Sequence, residues 1–211
     1  MLTRRASGFT LIELAIGLVL LGLLVTLALP SFTQMMHNMK LRASAEGIVQ
    51  GLQAARNEAL RRNASVEFFL TDDDPIASSA AGANVNTTGP NWLVRTNLGG
   101  GMFNFVEGRS GREGQGQTDA ATLNVQFSVP SGITLNPALP SLTPNAITFN
   151  GLGRAELASN VTFYVTDPAG GACKTAGGDE PVRCLNVVVT PGGRIRMCDP
   201  SIADTKDSRS C

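Results

Sequence analysis

The sequence predicts an α+β protein, with a long N-terminal helix, transmembrane and then amphipathic, packed on an antiparallel β-sandwich-like domain. Three observations carry that expectation. Residues 14–36 are a run of 23 without Asp, Glu, Lys, Arg or His, long enough to cross a hydrocarbon core of ~30 Å as a helix. Residues 31–62 keep a helical period with a narrow apolar stripe. Beyond Asn63 the period falls to two, and Gly- and Pro-rich breaks recur. The expected organisation is a leader over 1–8, a helix over 9–62 with its membrane part at about 14–36, and a β-rich globular domain over 63–211.

The leader carries Arg4 and Arg5. Basic residues flanking a membrane helix mark the end that stays in the cytoplasm, so the rest of the chain is expected outside, in the periplasm of a Gram-negative-type cell. Glu13 heads the apolar run. A carboxylate costs about 2.5–3.5 kcal/mol at the centre of a membrane helix and less near its end. A positive charge from another copy or another subunit is the expected compensation. Pro30 removes a backbone hydrogen bond and predicts a kink or a local unwinding. After it, Leu41, Ala45, Ile48, Leu52, Ala55 and Ala59 recur at spacings of 4, 3, 4, 3 and 4, one face of a helix. Glu46, Gln50, Gln53, Arg56 and Arg61 lie mainly off that stripe, Glu58 and Arg62 form an i,i+4 pair, and Asn63 is a stop signal.

Strands are expected at 65–71, 92–96, 122–128, 146–149, 155–157, 161–166, 184–190 and 194–198. Residues 72–91 and 97–121 are rich in Gly, Asn, Ser and Thr and read as mobile surface loops. Phe68, Val125, Phe127, Ile147, Phe149, Phe163, Val165, Val187 and Val189 are the core candidates. A three-residue turn at 191–193 sets Thr190 opposite Arg194 and Cys184 opposite Pro200.

Composition narrows the function. The 17 basic and 17 acidic side chains balance. Removing the eight leader residues leaves 203 residues with 15 basic and 17 acidic groups, a net charge of −2. Nucleic-acid binding would therefore need a local patch. The one histidine, His37, lies where the helix leaves the membrane and is read as interfacial. No His/Cys cluster has zinc spacing, no Ser has a His–Asp pair, and there is no phosphate loop. Asp72, Asp73 and Asp74 before Pro75 read as a solvated turn rather than a cation site. An anchored enzyme is thus the weakest reading, and no metal or cofactor is expected.

Gly8-Phe9-Thr10-Leu11-Ile12-Glu13, together with Pro30, resembles the class III signal of type IV pilins and type II secretion pseudopilins. An ordinary secretory signal fits less well, since its apolar part should span 7–15 residues before a small-residue cut site. The resemblance implies that a prepilin peptidase cuts between Gly8 and Phe9 and that Phe9 is then N-methylated. It implies that Glu13 neutralises the Phe9 amine of a neighbouring subunit, and that the helix melts near Pro30 to let subunits pack. The expected partners are other pilins or pseudopilins, the inner-membrane assembly platform, the peptidase and the lipid bilayer.

Three further segments, Ala54-Ala-Arg-Asn-Glu-Ala59, Phe149-Asn-Gly-Leu-Gly-Arg154 and the run from Arg183 to Cys198, resemble the GspH/FimT group of minor pseudopilins. That group implies a low-abundance subunit near a filament tip, or one that primes assembly. Retention of Glu13 argues against the terminal tip subunit of a secretion pseudopilus.

The four cysteines, all after residue 170, suggest two disulfides in an exported domain. Cys173–Cys184, closing a loop between strands, and Cys198–Cys211, tying back the tail, are favoured. The alternative is Cys184–Cys198 with Cys173–Cys211. Arg194 and Arg196 share one face of a strand, in a region where some members of the group bind DNA through Gly-Arg-x-Arg. Met197 stands where a further basic residue would follow. A DNA receptor of a competence pilus is therefore the alternative to a structural subunit. The bland reading of the arginines is a solvated hairpin pairing with Asp199 or Asp204.

Overall fold

The structure, a computed structural model, describes residues 10–110, 126–128, 143–168 and 170–211, the side chains of 30 and 126–128 excepted. Helix α1 runs from Leu11 to Arg62. Nine strands follow: β1 (Val66–Thr71), β2 (Thr88–Gly89), β3 (Asn91–Asn97), β4 (Phe103–Ser110), β5 (Gln126–Ser128), β6 (Ile147–Phe149), β7 (Val161–Thr166), β8 (Leu185–Val189) and β9 (Ile195–Cys198). They form two sheets, ordered β4-β3-β1-β6 and β2-β5-β7-β8-β9, and every ladder between them is antiparallel. The chain divides into two units, 1–36 and 37–211. The amphipathic part of α1, from His37 on, thus belongs to the globular unit.

In that unit the stripe is the base of the core. Leu41, Ala45, Ile48, Leu52, Ala55 and Ala59 are all fully buried. They join one apolar cluster with Phe68, Trp92, Phe149, Phe163, Val165, Val187 and Val189, drawn from both sheets. Three of the six stripe residues are alanines, which leaves room for large side chains from the sheets. Gly51 shows how closely these pack: a Cβ there would lie 2.7 Å from the Trp92 ring and 2.9 Å from Phe68. Phe68 stacks on Trp92 and meets Phe163 edge-on, each at 5.6 Å between centroids. Phe68 is on β1 and Phe163 on β7, so this edge contact joins the two sheets above the helix. Of the core candidates, Val125 lies outside the described residues and the side chain of Phe127 is not described; the other seven are buried.

The helix ends as its sequence dictates. Asn63 adopts φ of 51°, and the Ala64 N–H donates to the Ala59 carbonyl at 3.2 Å, the six-to-one bond of a Schellman cap. Glu58 accepts from both Arg61 and Arg62. The hydrogen bond from Arg61 is the main cause holding its carboxyl down to about 2.

Helix α1 is continuous through position 30; that continuity does not test the kink or melting expected at Pro30. Three expectations need correction. Residues 97–121 are not simply a loop, because β4 pairs with β3 from Asn91↔Ser110 to Asn97↔Phe103. Its register shifts between Val94 and Arg95, a bulge that lets a Gly-containing strand follow the twist. Residues 111–121 lie outside the described part. Residues 72–91 hold a 3₁₀ turn, Ala77–Ser79, and are packed down: Ala80 is buried, and Ala83 and Val85 cover Phe69 and Leu93. Finally, 155–157 makes a single bridge, Phe149↔Ala155, instead of a strand. The return from the tight turn at 150–154 is too short for a ladder, although Ala155 and Leu157 are buried.

Beneath that packed loop lies a polar pair absent from the core candidates. Glu67 on β1 and Arg95 on β3 are directly opposite and almost wholly buried. Arg95 donates to Glu67 at 2.8 Å and to the Ala80 carbonyl at 2.8 Å. Glu67 also accepts from Asn97 and Thr143, each at 2.7 Å. The guanidinium lies 3.6 Å from the Phe103 ring centroid and 4.7 Å from that of Phe69. Each charge is fully partnered, so the pair is tolerated, but loss of one member strands the other.

Two stability predictions follow from these contacts. Gly51→Ala should lower unfolding free energy by about 1–3 kcal/mol through overpacking, while Gly82→Ala, with nothing within 4 Å, should change it little. Arg95→Met alone should cost about 3–5 kcal/mol, and adding Glu67→Met should recover much of that loss. Urea unfolding followed by the fluorescence of Trp92, the single tryptophan, measures both.

Candidate functional site

The N-terminal unit carries the first candidate site. Its large apolar side chains, including Leu14, Leu18, Leu21 and Leu24, are exposed. The best apolar window has a mean hydropathy of 2.6 and no buried share. By length and composition this helix can cross a membrane. Glu13 sits in its first turn. The Thr10 N–H reaches the Glu13 carboxylate at 3.5 Å, and the Glu13 N–H donates to the Thr10 hydroxyl at 3.3 Å. That reciprocal pair is a capping box. The Thr10-x-x-Glu13 spacing was legible in the sequence and points to a second role for the acid. Gly8 and Phe9 lie outside the described residues.

At the other end of the sequence, β8 and β9 form a hairpin with Val189↔Ile195 and Asn186↔Cys198 opposed, the register expected from the turn at 191–193. Gly193 has φ of 78°. The Thr190 N–H donates to the Arg194 carbonyl at 3.0 Å, and the Gly193 N–H to the Thr190 carbonyl at 2.8 Å. Cys198 is bonded to Cys211, with Cα atoms 5.1 Å apart. This folds the tail against β9, where Asp199 bridges Ser210. Cys173 is bonded to Cys184, with Cα atoms 5.3 Å apart.

The two hairpin arginines differ in surroundings. Arg196 donates to the main-chain oxygens of Ser210 and Cys211 at 3.0 and 3.1 Å. Its partner is therefore the folded-back tail, not Asp199 or Asp204. Those acids accept bonds from Ser201 and from the Lys206 N–H. Arg194 is exposed. The structure does not offer the two as a matched phosphate-binding pair.

His37 meets Asp167 at 2.6 Å, with the Asp167 side chain fully buried. Next to it, Asn38 donates to the Pro181 carbonyl at 3.2 Å and accepts from the Arg183 N–H at 2.8 Å. These bonds fasten the start of the amphipathic helix to the loop before β8. No group of three or more His, Cys, Asp or Glu fit to hold a metal occurs among the described residues.

The prokaryotic N-terminal methylation motif matches residues 3–29. No curated protein sequence matches the chain. Among solved structures, the type IV minor pilin FimU of Pseudomonas aeruginosa is similar, in two crystal forms. One has 16% identity and a TM-score of 0.48 over 78% of this chain and 92% of that one. The other has 15% identity and a TM-score of 0.46 over 78% and 97%. The minor pseudopilin EpsH from the type 2 secretion system of Vibrio cholerae has 15% identity and a TM-score of 0.42 over 78% and 99%.

The bridges generate a prediction. Native exported protein should show no reactive thiol, and each bridge, closing a span of 11 or 13 residues, should contribute about 3 kcal/mol. Thiol titration in denaturant, with and without reductant, and unfolding of Cys→Ser pairs measure this; four titratable thiols without reductant would contradict it.

The type II transport protein GspH family matches residues 44–201, about three quarters of the sequence, and the chain belongs to that family.

Proposed function

We propose that this chain is a minor filament subunit held in the inner membrane by the helix over about 14–36, with its N-terminus cytoplasmic and its β domain periplasmic. Prepilin peptidase cuts between Gly8 and Phe9, and Phe9 is N-methylated. Assembly then withdraws the helix from lipid into a filament core. The observation that carries this reading is the exposed apolar helix, free of charge after Glu13 and overlapped by the methylation motif at 3–29. Among the described residues that apolar window has no buried share, and such a surface calls for lipid or other helices. Glu13 supports assembly by accepting the Phe9 amine of a neighbouring subunit, and the β domain supplies contacts to other subunits or to cargo. The family is one of structural subunits, and no catalytic step is proposed. The DNA-receptor alternative gains no observation of its own, since Arg196 is engaged by the tail.

The capping box allows a test that separates the two roles of Glu13. Glutamine at the third helical position still caps but carries no charge. Glu13→Gln should therefore insert in the membrane and keep its helix, yet fall at least tenfold in sheared filaments. Equal incorporation of Glu13→Gln and wild type would refute the charge-pairing role. Mass spectrometry of the wild type should give N-methylated Phe9 as the first residue, and an intact Met1 would overturn the reading.

A further inference from the structure

Two tight turns of the globular unit repeat one design. In the first, the Asn150 N–H donates to the Arg154 carbonyl at 2.9 Å and the Gly153 N–H to the Asn150 carbonyl at 2.8 Å, with Gly153 at φ of 71°. The 190–194 turn has the same bonds and the same left-handed glycine before Arg194. The turns touch backbone to backbone: a Cβ on Gly193 would lie 2.1 Å from the Gly153 carbonyl oxygen. That oxygen also accepts from Arg56 of α1 at 3.1 Å, so both turns are seated on the helix.

Each turn delivers an arginine one residue after the contact. Arg154 and Arg194 are both exposed, and neither side chain has a hydrogen-bond or ion-pair partner among the described residues. The nearby acids are committed elsewhere, Glu58 to Arg61 and Arg62 and Glu156 to Asn150. Leu152, at the tip of the first turn, is 76% exposed.

We propose that this paired-turn knob is a docking surface for another subunit of the same filament, one that presents carboxylates beside an apolar patch. Guanidinium groups pair with carboxylates through two parallel bonds, and the glycine turns fix where the two start. The apolar tip favours a protein over a nucleic acid, because a phosphate backbone leaves Leu152 uncovered and two cations alone hold it weakly. The proposal rests on the subunit reading above.

The test uses the full-length chain in cells that assemble the filament, with a photo-crosslinking residue in place of Leu152. The expected result is an adduct with another filament subunit, reduced at least tenfold in R154E/R194E and unchanged in K206E. Intact disulfides and unchanged Trp92 fluorescence show that the variant is folded; if it is not, R154Q/R194Q takes its place. An adduct that survives charge reversal would overturn the proposal, as would no subunit adduct from a chain present in sheared filaments. A chain absent from filaments would instead overturn the subunit reading, and this proposal with it. Duplex DNA retarded by the purified full chain in a manner dependent on Arg154 and Arg194 would also overturn it, in favour of nucleic acid.

Discussion

The packing of large strand side chains on the narrow stripe of the amphipathic helix is the constraint on which the globular unit depends. A stripe of Leu41, Ala45, Ile48, Leu52, Ala55 and Ala59 is narrow and, at half its positions, short. Short side chains on the helix leave space, and large residues from the strands fill it. Trp92 and Phe68 lie against Gly51, and Phe163 meets Phe68 from the second sheet. Neither sheet is wide enough to bury its own apolar face, and the helix is the surface they share. Interiors are packed as densely as organic crystals, so side-chain volume at the helix stripe sets where each strand can lie.

Much of this was legible because periodicity survives in sequence. The stripe and the strands at 66–71, 161–166, 185–189 and 195–198 follow patterns that backbone geometry imposes. The last hairpin was legible to its register, since a Pro-Gly-Gly turn leaves little choice. Strand β4 was hidden because its composition imitates a loop: Phe103-Asn-Phe-Val-Glu-Gly-Arg-Ser110 has a glycine and little apolar alternation. It becomes a strand through its partner, Asn91–Asn97, whose hydrogen bonds no local pattern encodes. Residues 72–91 misled for a related reason. Ala80, Ala83 and Val85 are small, and their packing on Phe69 exists only once the sheet has formed.

The candidate sites divide the same way. Glu13 stands out because it is the one charge at the head of an apolar run, where a carboxylate still carries a cost, though a smaller one than at the helix centre. Its capping role was equally visible in Thr10-x-x-Glu13, yet the longer-range explanation hid the local one. The pairing of Arg196 with the tail was not legible, because it requires the chain to return thirteen residues later through Cys211. The Glu67–Arg95 pair needed the register of β1 against β3. Each of these depends on a contact made by tertiary folding, not by neighbours in sequence.

The short connection after the Schellman cap has a mechanical consequence. Only residues 63–65 separate the end of α1 from β1, and β1 is an inner strand bonded to β3 on one side and β6 on the other. Any force carried by the helix therefore enters the globular unit through the interior of its first sheet, where the ladders to β3 and β6 share it, and not through an edge strand.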